Sequence, residues 1–154
     1  MSGEIERLYR DQGARLWRAL LAWSGDPEIA NDAVAEAFMQ LIRRGNEVRD
    51  PQPWVWRAAF RIAAGELKAR RRRLDTAEMA ERTAEIPETV DLIRALSSLS
   101  PKQRAAVVLH HYAGYPVSEI ATIIGSSSAA VRVHLSAGRK RLRSILGEGN
   151  RDED

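Results

Sequence analysis

The stretch from Val117 to Leu135 constrains this chain more than any other, because its small, turn and apolar residues fall where two crossing helices need them. Ala121 is small enough to let the helices approach, and Gly125 can take the positive φ of a tight turn. Val131 and Leu135 recur at the spacing of an inward helical face. The pattern predicts a helix-turn-helix. Its second helix then presents Ser127, Ser128, Ala129, Arg132, Val133 and Ser136 to a DNA major groove.

Composition sets the frame around that motif. The 154 residues are 44% hydrophobic, enough for packed cores. Glycine and proline sit between runs of helical periodicity, and β-branched alternation is almost absent, so an all-α protein is expected. Without cysteine the chain has neither disulfides nor thiolate metal sites. His110 and His111 are adjacent on a helix and so diverge by about 100°. No third ligand falls at a useful spacing, so no metal, cofactor or catalytic site is expected. The amino terminus lacks a basic-then-apolar signal, and no apolar run approaches the roughly 18 residues of a membrane span. A cytoplasmic protein without membrane insertion is the expectation.

The formal net charge of +3 conceals a pattern. Residues 51–73 hold seven basic residues and one acidic (net +6), and residues 101–146 hold the same numbers. Between them, residues 74–100 hold six acidic and two basic (net −4). Two cationic blocks with an acidic spacer suit two separate phosphate contacts, since polyanion affinity comes from local cation clusters.

Periodicity divides the chain into two small helical domains. A first helix carries Ile5, Leu8, Tyr9, Leu16, Leu20 and Trp23 inward. Asp26 then reads as an N-cap with Pro27 in the first helical position. The second helix carries Ile29, Ala30, Ala33, Val34, Ala37, Phe38, Leu41 and Ile42 on one face and an acidic and polar ridge of Glu28, Asp32, Glu36 and Gln40 on the other. A third helix, expected from about Pro53, places Arg57, Arg61, Lys68 and Arg72 within an arc of about 60°. Such a stripe can follow one phosphate backbone, and Trp54 is available to stack on an unpaired base. Residues 1–73 form the first domain, 74–88 an acidic linker, 89–146 a four-helix domain containing the helix-turn-helix, and 147–154 an acidic tail. The linker spans roughly 20 Å as a flexible coil and at most about 50 Å when taut. Ser100-Pro-Lys-Gln103 reads as a capping box. In the last helix Arg132, Ser136, Arg139 and Arg143 share an outer stripe.

With these residues in place, the chain resembles the extracytoplasmic-function sigma factors of bacterial RNA polymerase, members of the primary sigma factor family. The likeness covers about residues 5–73 and 89–146. The segment Asp26-Pro-Glu-Ile-Ala-Asn-Asp32 through Glu36-Ala-Phe38 is similar to the family's acidic helix, which docks on the clamp of the polymerase largest subunit. That resemblance implies Asp32, Glu36 and Phe38 as polymerase-binding residues. Pro53-Trp54 through Arg73 resembles the segment that opens and reads the minus-10 element, implying Trp54, Arg57, Arg61, Lys68 and Arg72 as contacts, with the Asn46–Gln52 loop beside them. Leu96 to Arg104, Glu119-Ile-Ala121 and Val131 to Leu142 resemble the domain that reads the minus-35 element, implying Ser127, Ser128, Ala129, Arg132, Val133, Ser136 and Arg139.

The resemblance further implies core RNA polymerase (clamp and flap), promoter DNA and an anti-sigma factor as partners, association with the nucleoid in holoenzyme, and no enzymatic activity. Three positions depart from the family around the first domain's surfaces. Asn31 stands where an acidic residue is usual, Ala35 where glutamine is frequent and Arg61 where asparagine is common. Ala129-Ala130 replaces a usual Gly-Thr, and His134 a usual basic residue. Two rival readings are a stand-alone helix-turn-helix regulator, which leaves the stripe at 57–72 unexplained, and a sigma-like protein that binds polymerase without directing initiation.

Overall fold

Proline, glycine and capping side chains set the helix boundaries in the computed structural model, which describes residues 2–73 and 90–151. Helix α1 spans Ser2–Ser24, and Gly25 follows it at φ 71°. The Asp26 side chain accepts a hydrogen bond from the Glu28 N–H, and Pro27 opens α2 (Pro27–Arg44). A 3-10 turn, Gly45–Glu47, leads to α3 (Pro51–Arg73), which begins one proline earlier than the sequence pattern predicts. These three helices pack on one another.

The second unit contains α4 (Val90–Ser97), α5 (Pro101–Val107), a π-helical turn (Val108–Tyr112), α6 (Val117–Ile124) and α7 (Ser128–Arg151). The capping box at α5 is complete: the Ser100 hydroxyl accepts from the Gln103 N–H, and the Gln103 side chain accepts from the Ser100 N–H, both at 3.2 Å. Helix α5 relaxes after Val107 into the π turn, which carries His110 and His111. Among the described residues there is no strand, so the all-α class holds. The acidic linker, 74–88, lies outside the described residues. Helix α7 runs on to Arg151, so the expected tail begins as helix, and 152–154 lie outside the described residues.

The helix-turn-helix forms for the reasons its sequence supplies. Gly125 adopts the left-handed conformation, φ 66° and ψ 47°, and its N–H bonds to the Ala121 carbonyl, ending α6. Ala121, Val131 and Leu135 are buried in the angle between α6 and α7. Farther along α7, Gly138 permits close approach to α5, since a Cβ there would stand 2.8 Å from Val107 Cγ2. The two units do not stand apart. α1 packs on α4 and the π turn, α3 packs on α6, and a single apolar cluster runs through both units.

Gly125 offers a clean test, because nothing lies within 4 Å of a Cβ added there, so a substitution reports backbone strain alone. Gly125→Ala is expected to lower the unfolding free energy by about 1–2 kcal/mol, measured by urea denaturation. Gly125→Asn should lose less, as asparagine tolerates this conformation.

Candidate nucleic-acid interface

Helix α7 presents its predicted face to solvent. Ala129, Arg132, Ser136 and Arg139 are exposed, and Val133, a β-branched apolar residue, is 65% exposed. A contact surface accounts for that exposure better than packing does. The Ser127 hydroxyl accepts from the Ala130 N–H at 3.0 Å, so it caps the helix as well as standing at its tip. Ser128 and His134 are half-buried beside it.

The stripe on α3 is also present, though its two ends differ in setting. Arg61, Lys68 and Arg72 are exposed, whereas Arg57 and Trp54 are half-buried in a cleft of about 510 Å³. Arg44, Arg49, Trp54 and Arg57 line one wall of this cleft, and Glu119, Thr122 and Ile123 of α6 line the other. The Arg44 guanidinium lies 5.9 Å from the Trp54 ring centroid, a cation–π contact. Periodicity gave no sign of Arg44 or Arg49, because they sit at a helix end and in a loop, where spacing carries no facial information. Trp56 is a core residue, 1% exposed.

The acidic ridge of α2 is less free than its sequence suggests. Arg70 Nη1 lies 2.8 Å from both Asp26 Oδ2 and Glu28 Oε2, and its Nη2 lies 3.9 Å from Asp32. Arg70, which lies off the stripe of Arg57, Arg61, Lys68 and Arg72, turns back to neutralise the ridge. Glu36 accepts from Gln40 and Arg43, which hold its carboxyl below the usual carboxylate range. Burial pushes the Glu66 carboxyl up, with Asp32 and Asp26 adding to the shift. Phe38 is buried edge-on to Tyr9 at 5.1 Å and lines an open apolar groove with Ile5, Tyr9, Met39 and Ile42. Asn31, one of the departures from the family pattern, accepts from the Trp17 indole at 2.7 Å. Its amide oxygen serves the fold.

The seam between the units is built mostly from rings and backbone carbonyls. Tyr115 packs edge-on to Trp56 at 5.4 Å, and the Trp23 indole donates to the Pro101 carbonyl at 3.0 Å. Arg15 donates to the carbonyls of Tyr112 and Ala113 at 3.0 and 3.1 Å. Against these stands Arg104, 3% exposed, with Nε and Nη2 unpartnered and its guanidinium 5.8 Å from the Trp23 ring. Burial, reinforced by Arg71, lowers its pKa to about 10. Burial likewise raises that of Tyr115 to about 12.

Two substitutions test these electrostatics by urea denaturation. Arg70→Ala leaves the buried Asp26 carboxylate short of its cation and should cost about 2 kcal/mol. Arg104→Met should instead stabilise, by about 1–3 kcal/mol, because an apolar side chain of similar volume removes an unpaired buried charge. Since the folded pKa of Arg104 lies below its unfolded value, the charge penalty is complete below pH 10 and relaxes only above it. The gain should therefore be constant across neutral pH.

Among the described residues no cluster of His, Asp and Glu could hold a metal, and no helix is long and apolar enough to cross a membrane. Residues 89–142 match the family model described as sigma-70, region 4. The chain is 27% identical over 151 residues to the ECF RNA polymerase sigma factor SigM of Mycobacterium tuberculosis, covering 93% of this chain and 77% of that protein. It is 30% identical over 159 residues to the RNA polymerase sigma factor CarQ of Myxococcus xanthus, covering 94% and 90%. Among solved structures, the sigma factor RpoE of Bartonella quintana, in complex with the anti-sigma factor NepR, superimposes with a TM-score of 0.77 over 96% of this chain and 98% of that one, at 18% identity. These relatives are sigma factors rather than enzymes. With the two helical units, the exposed helix-turn-helix face and the similarity running the length of both, the chain belongs to the extracytoplasmic-function family of RNA polymerase sigma factors.

Proposed function

We propose that this chain binds core RNA polymerase and directs promoter-specific initiation by dividing promoter reading between its two units. Asp32 and Glu36 on α2 face the polymerase clamp, with Phe38 as support beneath them. Arg57, Arg61, Lys68 and Arg72 on α3 bind the phosphates of the minus-10 region, and Trp54 stacks on a base of the opened strand. Arg132, Val133, Ser136 and Arg139 on α7 enter the major groove of the minus-35 element, with Ser127, Ser128 and Ala129 at the helix tip. Strand separation then draws on binding energy alone. Because RpoE is solved with an anti-sigma factor, an anti-sigma partner is part of this proposal.

The observation that carries the reading is one chain holding an exposed α7 face after a helix-turn-helix and, on α3, a basic stripe beside a half-buried tryptophan. The test is transcription by bacterial core polymerase on a sheared genomic library, with and without the chain, followed by sequencing of RNA 5′ ends. New start sites sharing upstream and downstream elements support it. Binding to a two-fold operator without polymerase points instead to a stand-alone regulator, and polymerase pull-down without new transcripts to a non-initiating sigma-like protein.

Substitutions should separate the two readers. Arg132→Ala is expected to change which start sites are used, at about 1–3 kcal/mol per lost base contact. Arg57→Ala or Arg61→Ala should lower output across all start sites and reduce the magnitude of the salt slope by about one.

A further inference from the structure

We propose that Val133 reads the 5-methyl group of a pyrimidine in the minus-35 element, so that recognition at that base depends on a methyl group and not on a hydrogen bond. The inference rests on the reading of α7 given above and assigns the chemistry of one of its positions. Val133 is 65% exposed. It stands about 160° around the helix from both Val131 and Leu135, the pair that buries α7 in the angle of the helix-turn-helix. Packing therefore does not account for it. Helix propensity does not either, since a β-branched side chain forms helix less readily than alanine does.

Its neighbours place it against bases. Arg132 and Ser136 are exposed on the same side of the helix, and the arc from Arg132 through Ser136 to Val133 is about 100°. Ala129, one turn earlier, is exposed as well, and at a spacing of four residues its methyl group adjoins the Val133 side chain. The first turns of α7 thus present a cation and a hydroxyl along one edge and alkyl groups along the other. These turns follow directly on Gly125, at the end of the motif where a recognition helix meets base edges.

The major groove then selects among bases. Guanine offers two acceptors there, adenine an acceptor and an amine, and cytosine an amine. An alkyl side chain pressed on any of these strips water from a polar group without replacing its hydrogen bond. Thymine instead offers its 5-methyl group, which an apolar side chain can cover. Cytosine methylated at the same carbon carries that group in the same place. The ligand class of Val133 is therefore a 5-methylpyrimidine, on either strand of the element.

The test uses the full chain in complex with core polymerase, on a promoter recovered by the start-site mapping above. Each thymine of the minus-35 element, on both strands, is replaced singly by uracil, which lacks only the methyl group, and affinity is measured by competition. At least one replacement should weaken binding about fourfold, the worth of one buried methyl group. With cytosine at that same position, its 5-methyl derivative should bind better than cytosine by a similar factor. Val133→Ala should bind the thymine and uracil duplexes alike while melting no lower than the wild-type chain. Arg132→Ala should weaken binding to both duplexes and preserve their ratio.

An element in which no thymine responds to loss of its methyl group overturns the proposal. So does a ratio that survives Val133→Ala, or 5-methylcytosine that binds no better than cytosine. If the wild-type chain yields no start sites with polymerase, the sigma-factor mechanism itself has failed, and methyl reading falls with it. That outcome is distinct from an element that is bound but indifferent to its methyl groups.

Discussion

Helix α3 has to bury one side against everything else in the molecule while keeping the other side cationic, and the rest of the structure follows from that constraint. Val55, Trp56, Ala59, Phe60, Ala63 and Leu67 are its buried side, and Trp56 is their centre. Phe60 stacks on Trp56 at 6.3 Å and reaches Trp23 at 5.8 Å, while Tyr115 closes on Trp56 from the second unit. An aromatic row thus runs from α1 through α3 across the seam. Each such pair contributes about 0.5–1.5 kcal/mol beyond its buried area, so the row ties the units together, with no ion pair between them among the described residues.

That choice of forces separates two behaviours of the same molecule. Aromatic burial and carbonyl hydrogen bonds respond little to salt, whereas contacts between α3 or α7 and phosphates weaken steeply with it. The packing between the units is therefore far less sensitive to salt than the phosphate contacts we propose for α3 and α7. Arg104 limits how stable it becomes: a guanidinium buried without an anion costs more than its stacking on Trp23 returns.

Local chemistry was legible in the sequence wherever one residue type has one physical use. Asp26-Pro27, the Ser100–Gln103 capping box, the left-handed Gly125 and the inward Val131 and Leu135 all stand where spacing places them. The exposed α7 face was legible for the same reason. What periodicity could not carry was contact between distant segments. Arg15 bonds to carbonyls 97 and 98 positions away, and no pattern within α1 announces it. Arg70 sits within a run of four arginines, and only the approach of α2 determines that this one turns inward. Asn31 read as a departure from the family until Trp17 supplied its reason.

Arg70 also joins two surfaces that the sequence keeps separate. Asp26 caps the start of α2 and receives Arg70 from near the end of α3, so the acidic ridge and the last turns of α3 meet in one ion cluster. Asp26 is 3% exposed, which makes its charge expensive to leave unpaired, whereas Glu28 and Asp32 are exposed and screened. The strong link in the cluster is therefore Arg70 to Asp26. The outer carboxylates can exchange Arg70 for a cation from outside at little cost to the fold, because the inner pair still holds α2 to α3. The ridge is then at once a structural clamp in its depth and an exposed acidic surface at its rim, where Glu28 and Asp32 stand, and Asp32 is one of the two residues we propose for the polymerase contact.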